Sequence, residues 1–365
     1  MNSASHAAAS AQAPWCVVHP VAPRDQTVMA EMRAIALPNK GKLRGTVARV
    51  AFDGIIGSTS APPGVTFRQD TIRGLDGWWC KPVDPLPNAA ILHLHGGWFN
   101  WGTAEAFRHL VGHIARSAGA TAFVPNYRLA PENPFPAAVD DALACFLGIH
   151  ERGIRAIAVT GDSAGGNLAL SLLSLIATRS DKRAVQPIGA VALSPVTDLA
   201  MTGSSWESRA DADPFFVRDQ STALIAAYLN GHDAADPIAS PLYGSLAGLP
   251  PIRVHLGDDE VLRDDSLRYV QRCVAAGVDA TVDVWEGMPH GFIGHVGQLE
   301  ASAEVLKAIG AFLSASAACC CRSPRGFLLM KWSARCLLSA ANRHHGFDRV
   351  TSALDPACVK THRLL

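Results

Sequence analysis

The segment Gly161-Asp162-Ser163-Ala164-Gly165-Gly166-Asn167 sets one serine between glycines in the pattern G-x-S-x-G. A serine hydroxyl is a weak nucleophile at neutral pH and needs a neighbouring base. Flanking glycines let a strand turn sharply into a helix, whose N-terminus favours negative charge developing beside it. The same residues also fit a helix-capping serine or a phosphate-binding turn, although the G-x-x-x-x-G-K-[ST] signature of the latter is missing. The choice rests on what else the chain can bring to Ser163.

Three other stretches carry suitable groups. In His95-Gly96-Gly97-Trp98 the glycines free backbone N–H groups, so those of Gly97 and Trp98, with that of Ala164, could bind a carbonyl oxyanion. His93 and His95 share one strand face and also fit a core or a metal pair, but no third ligand is in view. His95 is expected to orient the loop rather than move protons. Of fourteen histidines, His290 in W-E-G-M-P-H-G-F (285–292) is best placed as the base, with His295 as its near rival. A carboxylate must then hold the imidazole tautomer. Gly257–Asp265 (G-D-D-E-V-L-R-D-D) offers five candidates, and an ordinary acidic surface turn is the alternative.

The elements that must position these groups alternate from residue 89 onward. Strands are predicted over Ala89–His95, Ala120–Val124, Ile154–Thr160, Ile188–Ser194, Ile252–Gly257 and Thr281–Trp285. Helices are predicted over Ala104–Ser117, Ala137–His150, Ala164–Thr178, Ser266–Ala276 and Gln298–Ala315. Apolar strands separated by amphipathic helices imply an α/β fold, a mostly parallel central sheet with helices on both faces. All four chemically loaded stretches follow strands, where open parallel sheets bind ligands. The order serine, acid, histidine is that of α/β-hydrolases. Upstream, Val65–Ile72 and Leu75–Val83 read as a hairpin about Gly74, and residues 22–45 as a helix with Val28, Met32, Ile35 and Ala36 on one face.

Four segments follow from this pattern: a disordered N-terminus over 1–15, N-terminal cap helices over 16–60, a hydrolase domain over 61–315 and a tail over 316–365. A cap insertion at about 199–235 interrupts the domain. The tail carries eight Lys/Arg against Asp348 and Asp355, and five of nine cysteines. It reads as a frameshift product or as an amphipathic helix over Phe327–Leu338. Net charge is zero, which gives no reason to expect a nucleic-acid partner. No apolar run reaches the ~18 residues of a membrane span. Cys16, Cys80, Cys145 and Cys273 read as small buried hydrophobes. No signal peptide is evident, so the expected location is cytoplasmic.

The sequence resembles the hormone-sensitive-lipase-like branch of the α/β-hydrolases, bacterial family IV, from about residue 89 to 313. The resemblance rests on H-G-G at His95, Y-R-L-A-P-E at Tyr127, F-P-A-A-V-D-D at Phe135 and G-D-S-A-G-G-N at Gly161. It continues with S-P-V-T-D at Ser194, S-P-L-Y at Ser240, G-L-P-P at Gly248, L-R-D at Leu262 and M-P-H at Met288. It implies a serine carboxylesterase for short- to medium-chain esters, without cofactor or metal, with Ser163 as nucleophile and His290 as base. The family's Asp-Pro-Leu-Arg-Asp, aligned on Leu262, puts Glu260 at the acid, with Asp259 and Asp258 as rivals. Trp98 stands where a third glycine is usual, and with Trp206, Phe215 and Phe216 is expected to wall the substrate pocket. A lactone hydrolase, an amidase or a non-catalytic small-molecule receptor are the alternatives. Oligomeric state, including a homodimer, stays open.

Overall fold

A computed structural model describes residues 13–178 and 185–321. The chain divides into two units, Met1–Arg325 and Gly326–Leu365. Residues 1–12 and the proposed helix over Phe327–Leu338 lie outside the described residues.

Among the described residues nine strands form one sheet: β1 (Cys16–His19), β2 (Val65–Ile72), β3 (Leu75–Pro82), β4 (Ala89–Leu94), β5 (Thr121–Pro125), β6 (Ala156–Asp162), β7 (Ala190–Leu193), β8 (Ile252–Gly257) and β9 (Ala280–Trp285). Their order is β1-β9-β8-β7-β6-β4-β5-β3-β2. β3 runs antiparallel to β2 and β5, and every other described pair is parallel. The β2–β3 hairpin turns at Arg73 and Gly74, with φ of 49° and 83°, the left-handed pair that a two-residue turn needs. The helices are α1 (Pro23–Ala36), α2 (Arg49–Ile56), α3 (Ala104–Ala118), α4 (Ala137–Glu151), α5 (Ala164–Ala177), α6 (Ser205–Ser208), α7 (Arg218–Leu229), α8 (Arg263–Ala275) and α9 (Glu300–Cys321).

β4 shows why both faces are covered. It is buried at every residue, and its side chains alternate between two cores, as the two-residue period of a strand requires. Leu92 and Leu94 belong to the core that also holds Val139 of α4, Leu168 of α5 and Val270 of α8. Ile91 packs with Phe107 of α3 and Val305 of α9. Among the described residues no helix is long and apolar enough to cross a membrane.

Two boundaries differ from the sequence reading. Residues 16–19, expected within the N-terminal cap, form β1 and pair in parallel with β9 from Cys16↔Val282 to His19↔Trp285. Four residues are too few to show a strand period, so only the partner strand reveals them. The last helix does not stop at Ala315 but continues to Cys321, with Ser316 and Ala317 buried. Small side chains let it keep packing where the sequence suggested a composition break. In α1 the apolar face is also rotated: Met29 is buried whereas Ile35 is exposed.

Candidate active site

The turn from β6 to α5 places Ser163 at φ 54°, ψ −120°, a left-handed conformation that non-glycine residues adopt at a cost of about 1–3 kcal/mol. Ser163 N–H donates to the Leu193 carbonyl at 2.8 Å, and Ser163 O accepts from Asn167 N and Val196 N. Neighbouring glycines are required by contact. A Cβ at Gly165 would lie 1.9 Å from the Leu94 carbonyl oxygen, and one at Gly161 2.2 Å from that of Gly165. Ser163 is buried, and its side chain makes no capping hydrogen bond to the helix it precedes. The helix-cap alternative is thereby overturned.

The His95–Trp98 loop leans on the same turn. Gly96 N–H donates to Asp162 Oδ1 at 3.0 Å, and the Tyr127 hydroxyl donates to the His95 carbonyl at 2.7 Å. His95 stacks on Tyr127 and Phe107, and burial pushes its imidazole down to about 4. It is therefore a neutral brace. His93 meets Thr160 Oγ1 and Asp162 Oδ1. Gly97, Trp98 and Phe99 all have positive φ. Among the described residues, the N–H groups of Gly97, Trp98 and Ala164 are taken by no other group of the chain.

Glu260 is fully buried. Its Oε2 lies 2.7 Å from His290 Nδ1, while its Oε1 accepts from the Ser194 hydroxyl and Gly257 N–H, each at 2.8 Å. Its rivals are engaged elsewhere: Asp259 with Arg33, Asp258 with Arg209 and Arg263. His295 contacts none of these carboxylates. Burial alone pulls the His290 imidazole down, but the Glu260 hydrogen bond and charge, with Asp213 and Asp162 beyond, hold it above its ordinary value.

Asp213 is a residue the sequence reading missed. It is fully buried. Its Oδ1 accepts from Phe215 N–H and Phe216 N–H, and its Oδ2 from Val261 N–H. One carboxylate thus clasps the cap to the residue after Glu260. Nothing local marks it, since its partner lies 48 residues away.

Of the four aromatic residues expected at the pocket, three gather. Trp98 meets the Phe216 edge at 5.3 Å and Trp206 at 6.4 Å, and Phe216 stands 4.9 Å from the His290 ring. Phe215 touches this group only through Phe216, at 6.5 Å. The rings pack on one another. A cavity of about 50 Å³ does reach His290, but it is lined by Asp162 and Ser194 together with Ile56, Phe107, Leu110 and Ile293. Ile293 lies three residues after His290, and that closeness was the one available signal.

Known proteins resemble this chain in sequence and in fold. Residues 91–294 match the model of a family described as alpha/beta hydrolase fold. An acetyl-hydrolase of Streptomyces hygroscopicus is 34% identical over 270 residues, covering 73% of this chain and 88% of its own. An ethyl acetate hydrolase of Pseudomonas putida is 33% identical over 225 residues, 58% of this chain and 68% of its own. The crystal structure of an esterase from the bacterial hormone-sensitive lipase family superposes with a TM-score of 0.75 at 33% identity, covering 81% of this chain and 99% of that one. The chain belongs to the alpha/beta hydrolase fold family, in its hormone-sensitive-lipase-like branch.

Proposed function

We propose that this carboxylic-ester hydrolase cleaves esters of short acyl chains through an acyl-enzyme formed on Ser163. His290 Nε2 takes the Ser163 proton as Oγ attacks the carbonyl carbon, while Glu260 Oε2 accepts from Nδ1–H and stabilises the imidazolium. The Gly97, Trp98 and Ala164 N–H groups receive the oxyanion. The tetrahedral intermediate expels the alcohol, which takes the proton from His290. Water, deprotonated by the same imidazole, then attacks the acyl-enzyme and releases the acid and free Ser163.

The observation that carries this reading is the Glu260–His290 pair at 2.7 Å, set among strand ends that also hold Ser163 in a strained turn. A helix cap or binding loop needs neither feature. The short-acyl preference rests on the names of the acetyl-hydrolase and ethyl acetate hydrolase relatives. Turnover of p-nitrophenyl acetate, butyrate and octanoate tests the reading. Activity should fall along that series and vanish in Ser163→Ala; equal turnover by the variant would refute it.

A further inference from the structure

We propose that the segment from Ile35 to Ile55 is a docking face for an anionic lipid surface. Nine large apolar residues are exposed among the described residues, and five of them, Ile35, Leu37, Val47, Val50 and Ile55, lie in this one segment. Val47 is 90% exposed, Val50 85% and Ile55 60%. The cause is helix periodicity. Ala48, Phe52 and Ile56 face inward, where they join the two cores. Val47, Val50, Ala51, Gly54 and Ile55 follow the helical spacing of one face, and all are exposed. A helix apolar on both sides, with only one side covered, presents a surface that water solvates poorly.

Charge selects the occupant. From Ile35 to Ile55 the chain holds Lys40, Lys42, Arg44 and Arg49, with Arg33 just before, against the single carboxylate Asp53, which is turned inward to Thr103. Arg33, Arg44 and Arg49 pair with Asp259, Asp219 and Glu132. Lys40 and Lys42 reach only the Ala210 carbonyl and the Asn39 side-chain oxygen, so neither charge is paired with a carboxylate. Basic residues flanking an apolar helix face are the pattern of interfacial attachment to anionic lipid. A second copy of the chain would instead oppose the same positive charges across a two-fold contact.

The face also adjoins the site. Arg49 donates to the Asn100 carbonyl at 2.8 Å, Phe52 packs on Trp101 and Phe107, and Ile56 lines the cavity at His290. Docking would bring that opening to esters dissolved in the lipid, a consequence that rests on the esterase reading. The docking itself does not.

Co-sedimentation of the full chain with phosphatidylglycerol–phosphatidylcholine vesicles, without any ester present, is the test. Wild-type protein should pellet with mixed vesicles, little with phosphatidylcholine alone, and less as salt rises. Val47→Asp/Val50→Asp should weaken partitioning about tenfold or more, and Lys42→Glu by a smaller factor. Both variants should keep the wild-type melting temperature and turnover of p-nitrophenyl acetate. Wild-type protein that stays in the supernatant would overturn the proposal. So would a Val47→Asp/Val50→Asp variant that pellets like wild type, or a solution dimer that this variant dissociates.

Discussion

The strand-end loops and the cap are built by different means. At the strand ends, Ser163, Glu260 and the His95 brace are buried, and each is held by backbone groups of neighbouring strands or loops. The cap is the segment from Arg33 to Arg49 laid on residues 199–229, and its links are of another kind. Gly41 N–H donates to the Phe215 carbonyl and Gln220 Nε2 to the Leu43 carbonyl. Arg44 and Asp219 pair at the surface, where solvent and salt screen such a pair to little net effect. Chemistry needs sub-ångström placement and sits on the rigid frame. Selection of the substrate tolerates a softer frame, and we propose that it falls to the cap. Substitutions in the first region should therefore abolish turnover, and those of the cap rings that stand beside Trp98 and His290 should redistribute it among substrates.

Variants can break that contrast, and the sharpest come first. Ser163→Ala should lower kcat about 10⁴-fold or more, read with p-nitrophenyl acetate. Glu260→Gln should cost about 10³- to 10⁴-fold, whereas Asp259→Asn, which loses only an ion pair with Arg33, should stay within about threefold of wild type. If Asp259→Asn proved the more damaging, Glu260 would not be the acid. Gly97→Ala places a Cβ 2.3 Å from the Trp101 carbonyl oxygen; displacing the oxyanion loop should cost about 10²-fold in kcat.

The cap variants follow. Trp206→Ala should raise kcat/KM for octanoate relative to acetate about tenfold while leaving acetate kcat close to wild type. Asp213→Asn has the smallest kinetic effect, a few-fold in kcat by analogy with lost positioning contacts, but it carries a signature. His290 must be neutral to act as base, and its carboxylate neighbours hold it above the ordinary value, so kcat/KM should fall as pH drops through that raised value. Removing the Asp213 charge lowers the imidazole, and the acidic limb should move to lower pH. A limb that moved upward would contradict this electrostatic assignment. Thermal unfolding of the same variant should show a loss of about 1–3 kcal/mol from the N–H group left unpaired.

The same division decided what could be read from the sequence. Ser163, His290 and the Gly96-Gly97 loop were legible because strand-to-helix turns and strand ends leave local traces, in glycines that only close backbone approach explains. The choice of Glu260 needed an alignment on Leu262-Arg263-Asp264, because its neighbours are chemically equivalent and differ only in which arginine reaches them. Asp213 was illegible, being one cap aspartate whose role depends on Val261 far along the chain. β1 was too short to announce itself. The aromatic group was partly legible: Trp98, Trp206 and Phe216 gather beside His290, whereas Phe215 reaches them only through Phe216.

Mass spectrometry after reaction with an organophosphate, in wild type and His290→Ala, tests the central claim most directly. An activated Ser163 predicts a single stoichiometric phosphoryl adduct on the peptide containing Gly161–Asn167, formed rapidly by wild type and lost in the variant. An adduct on another residue, or equal labelling of Ser163 in both proteins, would contradict the account, because the serine would then owe nothing to the histidine at 2.7 Å from Glu260.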